Sequence, residues 1–180
     1  MSLRRTALGI LLGAMMGLSG CEQTPPETHA DTSGVRKPTQ ILKDFEMNDV
    51  KDGSKTMTLI SIEGRIYEDQ NVADVDKPLI HFFKLGKESS RLKAPEGRVK
   101  MDTHEVETWG GVTVVSADST TLTTERLRYE PKTQEITSTN TVHLEKPDSI
   151  TDGIGLVTDP DLKKVKIGHE KVTMKKGKHL

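Results

Sequence analysis

The chain has one cysteine, Cys21, so no internal disulfide can hold it together. Aromatic residues are scarce: Phe45, Tyr67, Phe82, Phe83, Trp109 and Tyr129 make up 3% of it. Proteins that bind single-stranded nucleic acid or sugars rely on aromatic stacking faces, so both classes are disfavoured. Excess positive charge is also missing, with 26 Lys and Arg against 27 Asp and Glu, which argues against a nucleic-acid binder. No apolar run reaches the roughly 20 residues that a membrane-spanning helix needs. After Gln40 no stretch carries a helical stripe of apolar residues.

Catalytic signatures are absent too. His29, His81, His104, His143, His169 and His179 have no partners at a metal-ligand spacing such as HxxxH, so no metal site is expected. Ser89, Ser90, Ser116 and Ser119 lack a nucleophile-elbow context. The abundant carboxylates read as the solvated faces of strands. Gly153-Ile154-Gly155 is too short to cradle a phosphate, and in a strand pattern it marks a bulge or a close backbone approach. These absences favour a binding or structural protein over an enzyme, with no cofactor.

What is present begins at the N-terminus. Arg4 and Arg5 precede an apolar run from about Ala7 to Leu18, which ends in Ser19-Gly20-Cys21. Charged start, apolar middle and small-residue exit read as a secretory signal. Leu18-Ser19-Gly20-Cys21 resembles the lipobox of bacterial lipoproteins, which implies cleavage before Cys21 and a diacylglyceryl group on its sulfur. The alternative is an uncleaved anchor followed by a buried cysteine. The Arg pair reads as the signal's charge, because the rest of a twin-arginine motif is missing. Cleavage removes Arg4 and Arg5 and leaves 24 basic against 27 acidic side chains, net −3. Glu22 to Gln40 contains Pro25, Pro26, Pro38, Ser33 and Gly34 and almost no large apolar residue, so it reads as a tether. Fully stretched it would reach about 60 to 65 Å.

From Ile41 onward, apolar and polar residues alternate with period two. Examples are Val99 and Met101, Val112 and Val114, Leu127 and Tyr129, Val142 and Leu144, and Val165 and Ile167. This marks strands with one buried face. Thr120, Leu122 and Thr124 share such a face, and Thr113, Arg128 and His143 point the other way. Turns are expected at Glu130-Pro131-Lys132-Thr133, Asp159-Pro160-Asp161 and Trp109-Gly110-Gly111. A weak repeat maps Val99, Met101 and Val114 onto Leu127, Tyr129 and Val142. It then maps Val142 and Leu144 onto Val172 and Met174. Stacked two-strand units and a plain meander of hairpins both account for it.

Several segments resemble the LptC family. They are Ala94-Pro95-Glu96-Gly97-Arg98-Val99, Gly110-Gly111-Val112-Thr113-Val114, and Leu122-Thr123-Thr124-Glu125-Arg126-Leu127-Arg128-Tyr129. Ile136-Thr137-Ser138 with Val142, Ile150 to Leu156 and Lys77 to Phe83 also fit. The resemblance spans about Ile41 to Met174. It implies an all-β, open antiparallel β-jellyroll of two facing sheets that carries lipopolysaccharide acyl chains between them. It further implies a place between an inner-membrane lipopolysaccharide-export ABC transporter and an LptA-like periplasmic bridge protein. The lipobox departs from the family, whose members typically have an uncleaved transmembrane helix. The expected organisation is a signal at 1–20, a lipidated cysteine and tether at 21–40, the β-domain at 41–175 and a basic tail at 176–180.

On this reading the lipid-binding interior comprises Val99, Met101, Val112, Val114, Leu122, Leu127, Tyr129, Ile136, Val142 and Leu144. Lys163 to Leu180 holds seven lysines against one acid, Glu170, around the pattern Val165, Ile167, Val172 and Met174. Those four residues mark either a solvated edge guarded by lysines or an edge that accepts a strand from the bridge protein. Ile41 to Met47 is the candidate edge for the transporter side. A structural envelope lipoprotein that only docks protein partners is the competing function.

The lipobox reading predicts that Cys21→Ser abolishes fatty-acid labelling and leaves an unprocessed precursor. Metabolic palmitate labelling checks this, and labelling equal to the parent's would refute it. A single acyl chain gives only marginal attachment, so a multiply acylated Cys21 is the expected stable anchor.

Overall fold

The computed structural model describes Arg36–Met174. Twelve strands form one antiparallel sheet. They are β1 (Gln40–Lys51), β2 (Ser54–Tyr67), β3 (Val72–Asp76), β4 (Leu79–Lys84), β5 (Lys87–Lys93) and β6 (Glu96–Lys100). β7 (Val106–Ser116), β8 (Thr121–Glu130), β9 (Glu135–Glu145), β10 (Ser149–Thr158), β11 (Lys166–Ile167) and β12 (Lys171–Met174) complete it. A single 3-10 turn, Glu68–Gln70, is the one helical element among the described residues.

Three pairs of consecutive strands each behave as one bent strand. β3 and β4 both pair with β2, β6 and β5 continue on their other side, and β7 pairs with both of those. β11 and β12 both pair with β10. The sheet is therefore a meander of hairpins, the second of the two accounts of the repeat. Asp52-Gly53, with φ of 50° and 72°, closes the first hairpin as a type I′ turn, whose twist suits flanking strands.

Almost every long strand is interrupted near its middle. The breaks fall at Asp44 in β1, Lys77-Pro78, Ala94-Pro95, Gly110-Gly111, Glu125-Arg126, Thr139-Asn140, Gly155 and Gly168-His169. Asp44, Lys77, Gly110, Gly111, Gly155 and His169 have positive φ. A bulge bends its strand and sharpens the local twist. Aligned across the sheet, these bulges fold the meander along a crease into two facing layers. The first layer holds β4, β5, β12 and the adjoining halves of the long strands; the second holds β3, β6, β11 and the remaining halves. Trp109-Gly110-Gly111 is thus a mid-strand bulge within β7, not the expected turn.

Side chains from both layers form one core. Phe82 of the first layer meets Tyr129 of the second edge-on, with ring centroids 4.8 Å apart. At the crease, carbonyls released from the ladder find buried hydroxyls. Ser61 Oγ donates to Asp76 O at 2.7 Å, Thr124 Oγ1 to Thr141 O at 2.9 Å and Ser138 Oγ to Arg126 O at 2.7 Å. Among the described residues no buried side-chain nitrogen or oxygen lacks a partner. Glycines also allow close approach there. A Cβ on Gly153 would lie 2.8 Å from Gly168 O and collide with Ile167 Cγ2, which matches the expected close contact.

Ser138→Ala would leave the Arg126 carbonyl without its buried donor, at a cost of about 1–3 kcal/mol. The exposed neighbour change Thr139→Ala should stay within about 0.5 kcal/mol. Urea unfolding of the two variants checks the difference.

Candidate functional site: an apolar interior between two open edges

Cross-strand register places the inward side chains in continuous rows. In the first layer Met47, Leu59, Ile80, Leu92, Val114, Leu122, Leu144, Thr151 and Val172 stand opposite one another in succession. The row crosses the whole sheet from β1 to β12. Leu59, Ile80, Leu92, Val114 and Leu122 are completely buried. In the second layer the matching row is Ile66, Ala73, Val99, Val106, Tyr129, Ile136 and Thr158. Such rows follow from side-chain alternation combined with antiparallel pairing.

Nine of the expected interior residues lie in this core: Val99, Val112, Val114, Leu122, Leu127, Tyr129, Ile136, Val142 and Leu144. Met101 does not lie on an interior strand. It sits in the turn after β6, half-buried, and its N–H donates to Asn71 O at 2.9 Å. Thr113 and His143 are half-buried on the outward side, and Arg128 is exposed. Sequence reasoning missed the N-terminal part of the interior: Met47, Met57, Leu59, Ile80, Phe82 and Leu92. The alternation Met57-Leu59, Ile80-Phe82 and Leu92-Ala94 carries that signal. Burial pushes the Tyr129 phenol far above its ordinary value, and the Asp49 and Glu130 charges push the same way. Tyr129 therefore stays neutral and counts as an apolar ring with a hydroxyl at one end.

Two sheet edges are unpaired among the described residues. One is β1, which pairs only with β2; the other is β11 with β12, which pair only with β10. The β1 edge carries Ile41 and Leu42 exposed and the acids Asp44, Glu46 and Asp49. On the other edge the expected strand pattern is divided. Val165 lies outside any strand, and Val165 and Ile167 pack against the core. Val172 and Met174 are 54% and 68% exposed. Cys21, the tether to Val35 and the tail lysines Lys175, Lys176 and Lys178 lie outside the described residues.

Charge is kept on the outer faces. On the second layer Arg65, Asp74, Arg98, Glu107 and Arg128 alternate in sign along one cross-strand row. Arg98 binds Asp74 through two hydrogen bonds of 2.6 and 3.0 Å, and Arg65 binds both Asp76 and Glu63. A groove of about 1070 Å³ runs on the outward side of β5 and β7, from Ser89 to Gly111, and none of the ten expected interior residues lines it. Three of the described histidines pair singly with acids: His81 with Glu88, His104 with Asp49 and His143 with Asp152. No group that could hold a metal ion occurs among the described residues. Likewise no described helix is long and apolar enough to cross a membrane.

These features define a class: an all-β, antiparallel jellyroll of the LptA type. A solved structure of that type matches, the LptA-homologous periplasmic component LptH of the lipopolysaccharide transport device of Pseudomonas aeruginosa. It is 12% identical, the match covers 66% of this chain and 92% of that one, and the TM-score is 0.52. No curated protein matches the chain in sequence. The LptC family model, described as lipopolysaccharide-assembly, LptC-related, matches residues 7–173. The chain belongs to the LptC family, and this supports a role in lipopolysaccharide transport and a periplasmic setting.

Glu105 gives a pH prediction. Burial raises its carboxyl, but hydrogen bonds from Arg128 and Lys100 outweigh that and hold it below its ordinary value of 4.5. A lowered folded pKa stabilises the fold above the unfolded value, and the stabilisation is lost as pH falls through the folded value. Glu105→Gln should therefore be less stable than the parent at pH 7, and the gap should shrink below pH 4.5. Thermal unfolding across pH 3 to 7 checks the convergence.

Proposed function

We propose that the protein is a lipid-anchored periplasmic carrier. It takes lipopolysaccharide from an inner-membrane ABC transporter and passes it to an LptA-like bridge protein. The observation that carries this reading is the inward apolar row from Met47 to Val172, which joins two open sheet edges. Aliphatic side chains suit acyl chains, because transfer from water gains about 0.8 kcal/mol per buried methylene without directional bonds. The absence of directional bonds also lets a chain slide along the row. Binding without chemistry is the activity proposed, and the residues in this role are the nine buried interior positions together with Met47, Leu59, Ile80 and Leu92.

The β11–β12 edge, with Val172 and Met174 outermost, is the proposed docking edge for the bridge protein by strand addition. The β1 edge serves the transporter side. Lipidated Cys21 and the tether hold the domain near the periplasmic face of the inner membrane. The completely buried middle of the row, Leu59 to Leu122, favours a second reading, a structural envelope lipoprotein that only docks partners, because a packed core has no standing room for lipid.

Site-specific photo-crosslinking separates the two. A photoreactive side chain at Leu122 or Val142 should capture lipopolysaccharide, and one at Thr123 or His143 on the outward face should not. Equal capture from both sets, or none from either in the presence of lipopolysaccharide, would sink the carrier reading.

A further inference from the structure

If the interior is a carrier's, something must let a chain into a core that is closed. The crease cannot open without breaking the ladder, so the opposite side, where hairpin tips of the two layers meet, is where the layers can part. Lys51 with Lys132 O and His104 with Asp49 join hairpin tips there, but three side-chain contacts converge on one segment, residues 159–164, between β10 and β11. This segment has no ladder pairing, since β10 ends at Thr158 and β11 starts at Lys166.

It is tied down by side chains of the other layer. Ser90 Oγ donates to Pro160 O at 2.5 Å, Lys84 Nζ meets Asp161 Oδ2 at 2.6 Å, and Lys163 pairs with Asp118. Asp159 holds its shape by accepting from the N–H groups of Lys163 and Lys164, each at 2.8 Å. Leu162 is the one residue of the segment sunk into the core, 2% exposed, although it sits at a φ of 54° that a leucine rarely adopts. Lys163 and Lys164 on either side of the following bend are exposed.

Cavities flank the segment. One of about 250 Å³ lies toward the β8–β9 turn and reaches Phe83 and Tyr129. Another of about 310 Å³ lies toward the β7–β8 turn at Ala117 and Asp118. Both are bounded by Ser89 and by Asp161 of the segment, so they lie on its two sides, and Leu162 itself lines neither. Each lies at or below the lower end of the roughly 300–1,000 Å³ of small-molecule sites, and the merged gap would fall within that range.

We propose that residues 159–164 form a displaceable strap, and that the merged gap beneath it, with the seat of Leu162, binds an acyl chain of the amphiphile. In the closed state Leu162 stands in for the chain. Lifting it breaks partly exposed ion pairs and one side-chain hydrogen bond and withdraws Leu162 from the core, and it leaves every ladder intact. The strap runs directly into the β11–β12 edge, so strand addition there pulls on the element that covers the gap. The cargo named here rests on the carrier reading above.

The test uses the full chain as Cys21→Ser with Asp118→Cys and Lys163→Cys, whose thiols are joined through disulfides by a short bis-thiosulfonate bridge that spans the reach of the lost lysine and is removed by reduction. Fluorescent lipopolysaccharide should enter the bridged, locked form at least tenfold more slowly than the same protein after reduction. Equal rates in the two forms would overturn the strap while leaving the carrier reading standing. No uptake by the reduced form or the parent would overturn the carrier reading itself. Lys84→Gln frees one strap contact without a cysteine and should speed uptake about threefold, in proportion to a half-exposed ion pair. An unchanged rate there would also overturn the strap.

Discussion

Everything in this fold depends on interrupted pairing along the crease. A flat nine-row meander would leave one apolar face in water. Folding it over buries that face against itself, but every bend frees backbone groups that must be satisfied. The chain places small hydroxyls where the carbonyls come loose, at Ser61, Thr124 and Ser138. It places prolines at Pro78 and Pro95, next to the bends. Proline removes a donor that would otherwise need a partner. The backbone at the same bends helps: Lys77 N–H donates to Pro95 O at 2.8 Å. Crease and core are therefore one design, since the bends make the layers face and the facing core holds the bends.

Electrostatics follow from this geometry. With apolar rows inside, charge is confined to the outer faces, where Arg65, Asp74, Arg98 and Glu107 alternate. Pairs of this exposure each contribute little. Their larger effect is on where the protein can associate. The checkerboard of satisfied charge keeps that row of the second layer's outer face solvated.

Which side chains turn inward was legible in the sequence, because period two is a local property. Leu127, Tyr129, Val142 and Leu144 are buried as the alternation demands. Bends were not legible. Gly110-Gly111 reads as a turn, and turns and bulges use the same positive φ. What distinguishes them here is that inward positions resume at once, with Thr108 before the break and Val112 after it. Met101 continues the alternation of Val99 by chance into a hairpin loop. The β3–β4 and β5–β6 breaks split strands that the ladder treats as single, so their apolar residues Ile80 and Leu92 did not stand out. Leu162 carried no signal, because a lone leucine between Asp161 and Lys163 looks like solvated loop. Its burial comes from the seam, which exists only once both layers face. Cys21 is the reverse case, since its meaning is carried by sequence alone.

The open edges complete the physical picture. An exposed strand is a template for unwanted pairing, and lysines along it are a known defence. Lys166 and Lys171 stand on the β11–β12 edge, while Asp44, Glu46 and Asp49 stand on β1. Strand addition preserves period two. A partner strand laid beside β12 in antiparallel register would set its own inward residue opposite Val172 and extend the row by one step. Val172 is half-exposed because its row ends there, whereas Leu122, in the same row, has neighbours on both sides. The interior and the edge are thus coupled by geometry. In the proposed carrier the contact that docks the partner is also the contact that lengthens the apolar path, so an acyl chain leaving the core would meet another side chain before it met water.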